Sequence, residues 1–249
     1  MRIRKTRFFI SLWVLMGTPF FLQGQSIRLM CASSLQMSID PLVREFSLNN
    51  KIKIEVIYGS SSLLRNQIQA GATADIFIFA GETQARWLTS RQLAKSFKPI
   101  GNTQLVLLVR QGAPIKTLRD LATPGIRIAV ADSGVPIGSF TENLLNMAVT
   151  KEYLQPGELQ AIYRNIVTRD FSAQSLKNKI QLREADAAFI YLSQWDSGDV
   201  VKFSPQINPP ITYLIGIAAD SRQVYWSQRW IDFLQTPDSK KKLRERGVE

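Results

Sequence analysis

The chain has 249 residues, enough for one large domain or two small ones, and its 45% hydrophobic and 20% charged content excludes a disordered or fibrous protein. It has no histidine and one cysteine, which excludes an internal disulfide, the usual zinc and copper ligand sets, and Ser-His or Cys-His nucleophilic machinery. The net charge of +11 makes anions, nucleic acid and acidic membrane surfaces the partner classes to weigh.

Arg2, Arg4, Lys5 and Arg7 precede an apolar run over 8–22 and then Gln23-Gly24-Gln25-Ser26. That order reads as a secretory signal peptide over 1–24, cut after Gly24; an uncleaved signal is the alternative and would anchor the chain in the membrane. Without those four cations the net charge falls from +11 to +7. Arg28-Leu29-Met30 before Cys31 lacks the small residues of a lipid-attachment site, so Cys31 reads as a small strand residue.

Beyond the signal, strand-like runs over 27–32, 52–58, 76–80, 105–109, 126–130, 187–191 and 211–218 alternate with helical patterns over 40–46, 62–70, 83–90, 140–148, 175–183 and 225–234. Such alternation predicts an α/β protein with mainly parallel sheet. Lys98-Pro99-Ile100-Gly101-Asn102 and Ser204-Pro205-Gln206-Ile207-Asn208-Pro209-Pro210 each precede an apolar strand and read as two crossings between lobes. The predicted plan is a first lobe from 25–102 and 204–249 around a second lobe over 103–203; a single doubly wound sheet is the other arrangement compatible with the pattern. Lys240-Lys241-Lys242-Arg244-Arg246 lies on a C-terminal helical stretch and reads as a solvated face, so nucleic acid is not an expected partner of an exported chain.

Chemistry concentrates at the strand ends. Tyr58-Gly59-Ser60-Ser61-Ser62-Leu63-Leu64 joins an alternating strand to an amphipathic helix, where free N–H groups, the positive end of the helix dipole and neutral hydroxyls suit a small oxyanion. At an isolated junction a simple N-cap is the commoner explanation of the same residues. Ser33-Ser34-Leu35 repeats the pattern after the first strand, although Pro41 predicts a helix start near Ser38 or Asp40, with Ser34 acting from a loop. In the second lobe, Asp132-Ser133-Gly134-Val135-Pro136-Ile137-Gly138 brings the backbone to another helix start, with glycines permitting close approach to a ligand. Turns at the carboxyl ends of parallel strands share one sheet edge and can face a single ligand.

Taken together, these segments resemble the molybdate-binding periplasmic proteins of ABC importers, within the two-lobed solute-binding proteins. The match covers most of the chain beyond the signal. It is carried by Ala32-Ser33-Ser34-Leu35, Gly59-Ser60-Ser61-Ser62, Gln67-Ile68-Gln69-Ala70-Gly71-Ala72, Ala74-Asp75-Ile76-Phe77-Ile78, Gly101-Asn102, 132–138, Glu184-Ala185-Asp186-Ala187-Ala188-Phe189-Ile190-Tyr191 and Phe233-Leu234. The resemblance implies a class II periplasmic binding protein fold, each lobe a mainly parallel sheet flanked by helices, with the ligand in the cleft between lobes. It also implies that the hydroxyls and amides of Ser34 and Ser61, the Ile137 amide and the Tyr191 hydroxyl hold the anion, with a fifth donor from an amide near Ala173.

The implied protein is an exported monomer that carries molybdate or tungstate to a membrane permease, with no cofactor, no metal site and no catalysis. Asp75 and Asp132, the carboxylates nearest the turns, read as acceptors for loop and cap N–H groups rather than as an acid-base pair. Three departures from the family bear on ligand identity: Phe79-Ala80-Gly81 replaces Ser-Ala-Asp, Ile137 replaces a common alanine, and the chain ends at Arg246-Gly247-Val248-Glu249 without the usual aromatic tip. Sulfate or another oxyanion is therefore an alternative ligand, and a membrane-anchored sensing or interaction module of the same fold an alternative role.

Overall fold

The computed structural model describes residues 26–249; the signal peptide expected over 1–24, with its cut after Gly24, lies outside the described residues. Among the described residues ten strands form two five-stranded sheets, accompanied by eight α-helices. The first part of the chain runs β1 (Ser26–Ala32), α1 (Gln36–Asn50), β2 (Lys53–Gly59), α2 (Ser61–Gln69), β3 (Ile76–Ala80), α3 (Glu82–Ser90) and β4 (Ala94–Thr103). There follow β5 (Leu105–Val109), β6 (Ile128–Ala131), α4 (Pro136–Thr150), α5 (Pro156–Arg164), β7 (Ile166–Asp170), α6 (Ala173–Gln181), β8 (Ala187–Tyr191) and β9 (Asp199–Lys202). The chain then returns as β10 (Ile211–Ala218), α7 (Val224–Leu234) and α8 (Pro237–Arg244).

One sheet has the order β2-β1-β3-β10-β4 and the other β7-β6-β8-β5-β9. In each, the first three strands are parallel and the last two pairings antiparallel. This is more mixed than a mainly parallel sheet, because β5 and β10 enter their sheets directly from the crossings instead of over a helical crossover. The central strands β3, β5 and β8 are buried along their whole length and sequence-wise are nearly unbroken apolar runs, as strands covered on both faces must be.

Three strands and one helix are absent from the predicted pattern. β4 carries Pro99 and two lysines, Lys95 and Lys98, while β7 and β9 are short and polar; all three are edge strands, where proline and charge are tolerated and guard against further pairing. α5 buries only Ile162, so its apolar signal is weak, although Gln155 and Glu158 form a capping box at its start. Pro41 falls inside α1 rather than at its beginning. The helix is preceded by a 3-10 turn, Ser33–Leu35, so Ser34 stands in that turn and not in a loop.

Both crossings are tied down. The first reduces to Gln104, between β4 and β5; in the second, buried Asn208 accepts from Leu105 N–H (3.3 Å) and donates to the Leu105 carbonyl (2.9 Å). Among the described residues, no helix is long and apolar enough to cross a membrane. The basic C-terminal cluster lies on and just after α8, where Lys242 pairs with Glu45 and Asp238 and most of its neighbours face solvent.

Candidate functional site

Strand ends from both sheets meet at one small cavity of about 20 Å³. It is lined by the turn after β1 (Ala32, Ser33, Ser34), the β2–α2 junction (Gly59, Ser60, Ser61) and Ala80 on one side, and by Val135 to Ile137, Ser172, Ala173 and Tyr191 on the other. All five residues singled out in the sequence, Ser34, Ser61, Ile137, Ala173 and Tyr191, are on this wall, and each is buried. None of the lining residues is charged.

The Gly59 to Ser62 turn divides its hydroxyls among three tasks, and capping occupies only one of the three serines. Ser60 is the N-cap of α2, its Oγ accepting from Leu63 N–H at 3.2 Å. Ser61 Oγ accepts the Ala80 N–H at 3.0 Å, which leaves its own proton to donate toward the cavity. Ser62 Oγ points away from both and donates to the Gly134 carbonyl of the opposite wall at 3.0 Å, while Gln84 Nε2 donates to it at 3.3 Å.

Helix starts supply the amides. Pro136 is the first residue of α4, so the first N–H of that helix belongs to Ile137, too early to find an intrahelical acceptor. Ser172 caps α6 by accepting from Ser175 N–H at 3.1 Å, which leaves the Ala173 N–H at the helix mouth. Together with α2, three helix dipoles place their positive ends at one point. Gly138 serves packing rather than the ligand: a Cβ there would lie 1.9 Å from the Asp132 carbonyl oxygen, so only glycine lets α4 start so close to the loop before it.

Tyr191 ends β8 with its ring edge-on to Phe140 (6.5 Å) and tilted against Tyr213 (6.4 Å). Burial, reinforced by Tyr213, pushes its phenol well above the usual tyrosine range, so it keeps its proton and can act as a donor at any physiological pH. Of the two carboxylates expected near the turns, Asp132 stands beside the site and is committed to backbone, whereas Asp75 precedes β3 at the other end of the first sheet. Asp132 Oδ1 accepts Gly134 N–H at 2.8 Å, and Asp75 accepts Arg28 N–H (2.8 Å) and the Ser221 hydroxyl (2.7 Å). A larger open groove of about 460 Å³ lies at the other end of the first sheet beside Arg28, Glu55, Asp75 and Arg222. In that groove Asp75 is held by Arg28 N–H and Ser221, the Arg28 side chain by Thr73, and Glu55 by Lys53.

Sequence reasoning assigned Tyr213 no role, assigned Ser62 none of its own within the serine turn, and marked Gly81 only as part of a departure from the family pattern. Gly81, at φ +80°, caps α3 so close to the opposite wall that a Cβ would lie 2.8 Å from Phe140 Cζ. Tyr213 is fully buried in β10 and hydrogen-bonds Ser34 from behind. Its position in an alternating strand reads as core, and only the three-dimensional register places it against the site.

The arrangement is a neutral, donor-rich cage with walls from both sheets. The curated molybdate-binding proteins ModA of Mycobacterium bovis and Mycobacterium tuberculosis are 27% identical over 174 residues, 68% of this chain; the chain spans 62% of their length. The periplasmic molybdate-binding protein of Azotobacter vinelandii has a similar fold, with a TM-score of 0.79, 19% identity, and coverage of 90% of this chain and 98% of that one. The sulfate-binding protein SubI of Mycobacterium tuberculosis is also similar in fold, with a TM-score of 0.76, 16% identity, and coverage of 90% and 86%. The family of bacterial extracellular solute-binding proteins matches residues 27–249, and the chain belongs to that family.

Proposed function

We propose that this protein captures a tetrahedral oxyanion, molybdate or tungstate, outside the cytoplasm and delivers it to the membrane permease of an ABC importer, without catalysing a reaction. The observation that carries this reading is the convergence of Ser34, Ser61, Ile137, Ala173 and Tyr191 on one uncharged cavity. A dianion that sheds its water needs replacement hydrogen bonds on every side, and neutral donors supply them without tying the site to a single point charge. Donors from two lobes also make the closed form the one that binds, so closure reports loading to the importer. In this reading the lobes are 25–102 with 204–249, and 103–203; the signal over 1–24 directs export, and the chain works as a monomer.

The curated ModA relatives are named as molybdate-binding, which supports the choice of anion. Sulfate is the second reading, favoured by the likeness to a sulfate-binding protein and by Ile137 in place of a smaller residue. Isothermal titration with molybdate, tungstate and sulfate separates the readings. Micromolar or tighter binding of the first two with weak sulfate binding is expected; a preference for sulfate would replace the ligand, and no binding of any of the three would end the proposal.

A further inference from the structure

Three buried hydroxyls form a chain that leads to the cavity from behind. Tyr213 donates to Ser34 Oγ at 2.8 Å, and Ser193 lies 2.8 Å from the Tyr213 hydroxyl on its other side. Ser193 is 1% exposed, Tyr213 0% and Ser34 4%, so water does not compete for these bonds. A phenol has one proton. With that proton given to Ser34, the Ser193 hydroxyl must donate to Tyr213, and all three O–H bonds run in one direction. Ser193 belongs to the turn after β8 on the second-sheet side, whereas Tyr213 and Ser34 belong to the first. Ser193 is itself held by its N–H, which donates to Thr103 Oγ1 at 3.3 Å.

The consequence falls on Ser34. A serine hydroxyl can donate or accept, and one free to rotate would present a lone pair to an anion as readily as a proton. Accepting from Tyr213 occupies one Ser34 lone pair and turns the Ser34 O–H away from the phenol, and among the described residues no protein acceptor takes that proton. We propose that Tyr213, set by Ser193, is a positioning residue of the oxyanion site, orienting the Ser34 hydroxyl as a donor to the ligand. Ser61 receives the same treatment from the Ala80 N–H, so both serines of the first wall have a buried donor behind them. Burial pushes the Tyr213 phenol up, which keeps the relay proton in place over the working pH range.

This inference rests on the oxyanion reading, and a double-mutant cycle tests it separately. Molybdate affinity is measured by calorimetry for the unmodified protein, Tyr213→Phe, Ser34→Ala and the double variant. Phenylalanine keeps the ring that packs on Tyr191 and removes only the hydroxyl. Tyr213→Phe is expected to weaken binding about tenfold in the unmodified background and to have no further effect once Ser34 is alanine. Ser193→Ala, which leaves Tyr213 in place, is expected to weaken binding several-fold and guards against a Tyr213 variant that fails to fold. An equal loss from Tyr213→Phe in both backgrounds would show a merely structural role and overturn the proposal, as would full affinity in Tyr213→Phe or in Ser193→Ala. If the unmodified protein binds no tetrahedral oxyanion, the functional reading fails first and this inference with it.

Discussion

Ser60, Ser61 and Ser62 are chemically identical, and their different tasks follow from helical rotation of about 100° per residue at the start of α2. Ser61 has both a structural bond, to the Ala80 N–H, and a place on the cavity wall, so its removal has two separable effects. Ser61→Ala is expected to weaken anion binding by about 1 kcal/mol or more and, by orphaning a buried N–H, to lower stability by about 1–3 kcal/mol. Titration reads the first and thermal melting without ligand the second; intact affinity would take Ser61 out of the site. Far from the cavity, Asp186 is held down at about 2, chiefly by the Arg127 side chain, with the Arg127 N–H and Arg110 adding to it against the opposing effect of burial. A depressed carboxylate stabilises the fold fully above its unfolded value and loses that contribution as pH falls through the folded one, so the window here runs from about pH 4 down to about pH 2. Asp186→Asn is expected to cost about 2 kcal/mol at pH 7 and to flatten the acid side of the melting profile in that window. An unchanged slope would show that other carboxylates govern acid unfolding.

At the scale of elements, the site is made of starts and ends: three helix N-termini, a 3-10 turn and the last residue of β8. Helix α3 adds nothing to the donor set but limits how the walls meet, because its cap Gly81 abuts Phe140 of α4. A side chain at Gly81 meets two obstacles, a left-handed backbone and the Phe140 ring. Gly81→Ala is expected to weaken anion binding, and adding Phe140→Ala to restore part of the loss; no restoration would mean that strain within the turn, not contact across the cleft, is responsible. The turns at Ser34, Ser61 and Ile137 were legible in the sequence because each pairs an apolar strand with hydroxyls, glycine or proline at a helix start, a local chemistry that survives in one dimension; the Ala173 turn follows the polar strand β7 and came only from the family resemblance. What escaped was whatever depends on pairing between distant segments. β4 hid its pattern behind Pro99 and lysines because an edge strand is free to carry them, and Tyr213 looked like core because its hydroxyl meets Ser34 from 179 residues away.

Across the whole molecule the two sheets repeat one plan. β1, β2, β3, β10 and β4 correspond in order and direction to β6, β7, β8, β5 and β9. The correspondence extends to the site: Ser34 follows β1 as Ile137 follows β6, and Ser61 follows β2 as Ala173 follows β7. Asp75 before β3 ties down the Arg28 N–H just as Asp186 before β8 ties down that of Arg127. In the proposed function two similar lobes enclose the anion from opposite sides, and affinity then contains a term for the contacts the lobes make with one another. Ser62 isolates that term, since its hydroxyl crosses the cleft to the Gly134 carbonyl and is absent from the cavity wall. In an open form water can satisfy both partners, so the bond favours closure without adding a donor to the ligand. Ser62→Ala is therefore expected to weaken every bound oxyanion by the same factor, about 0.5–1.5 kcal/mol, with the preference among anions unchanged. A bond made on closure acts on release, so in this reading the loss is expected in the dissociation rate and not in association. Stopped-flow displacement of molybdate by excess tungstate measures that rate, and dissociation as slow as in the unmodified protein would show that the Ser62 to Gly134 bond plays no part in holding the lobes shut.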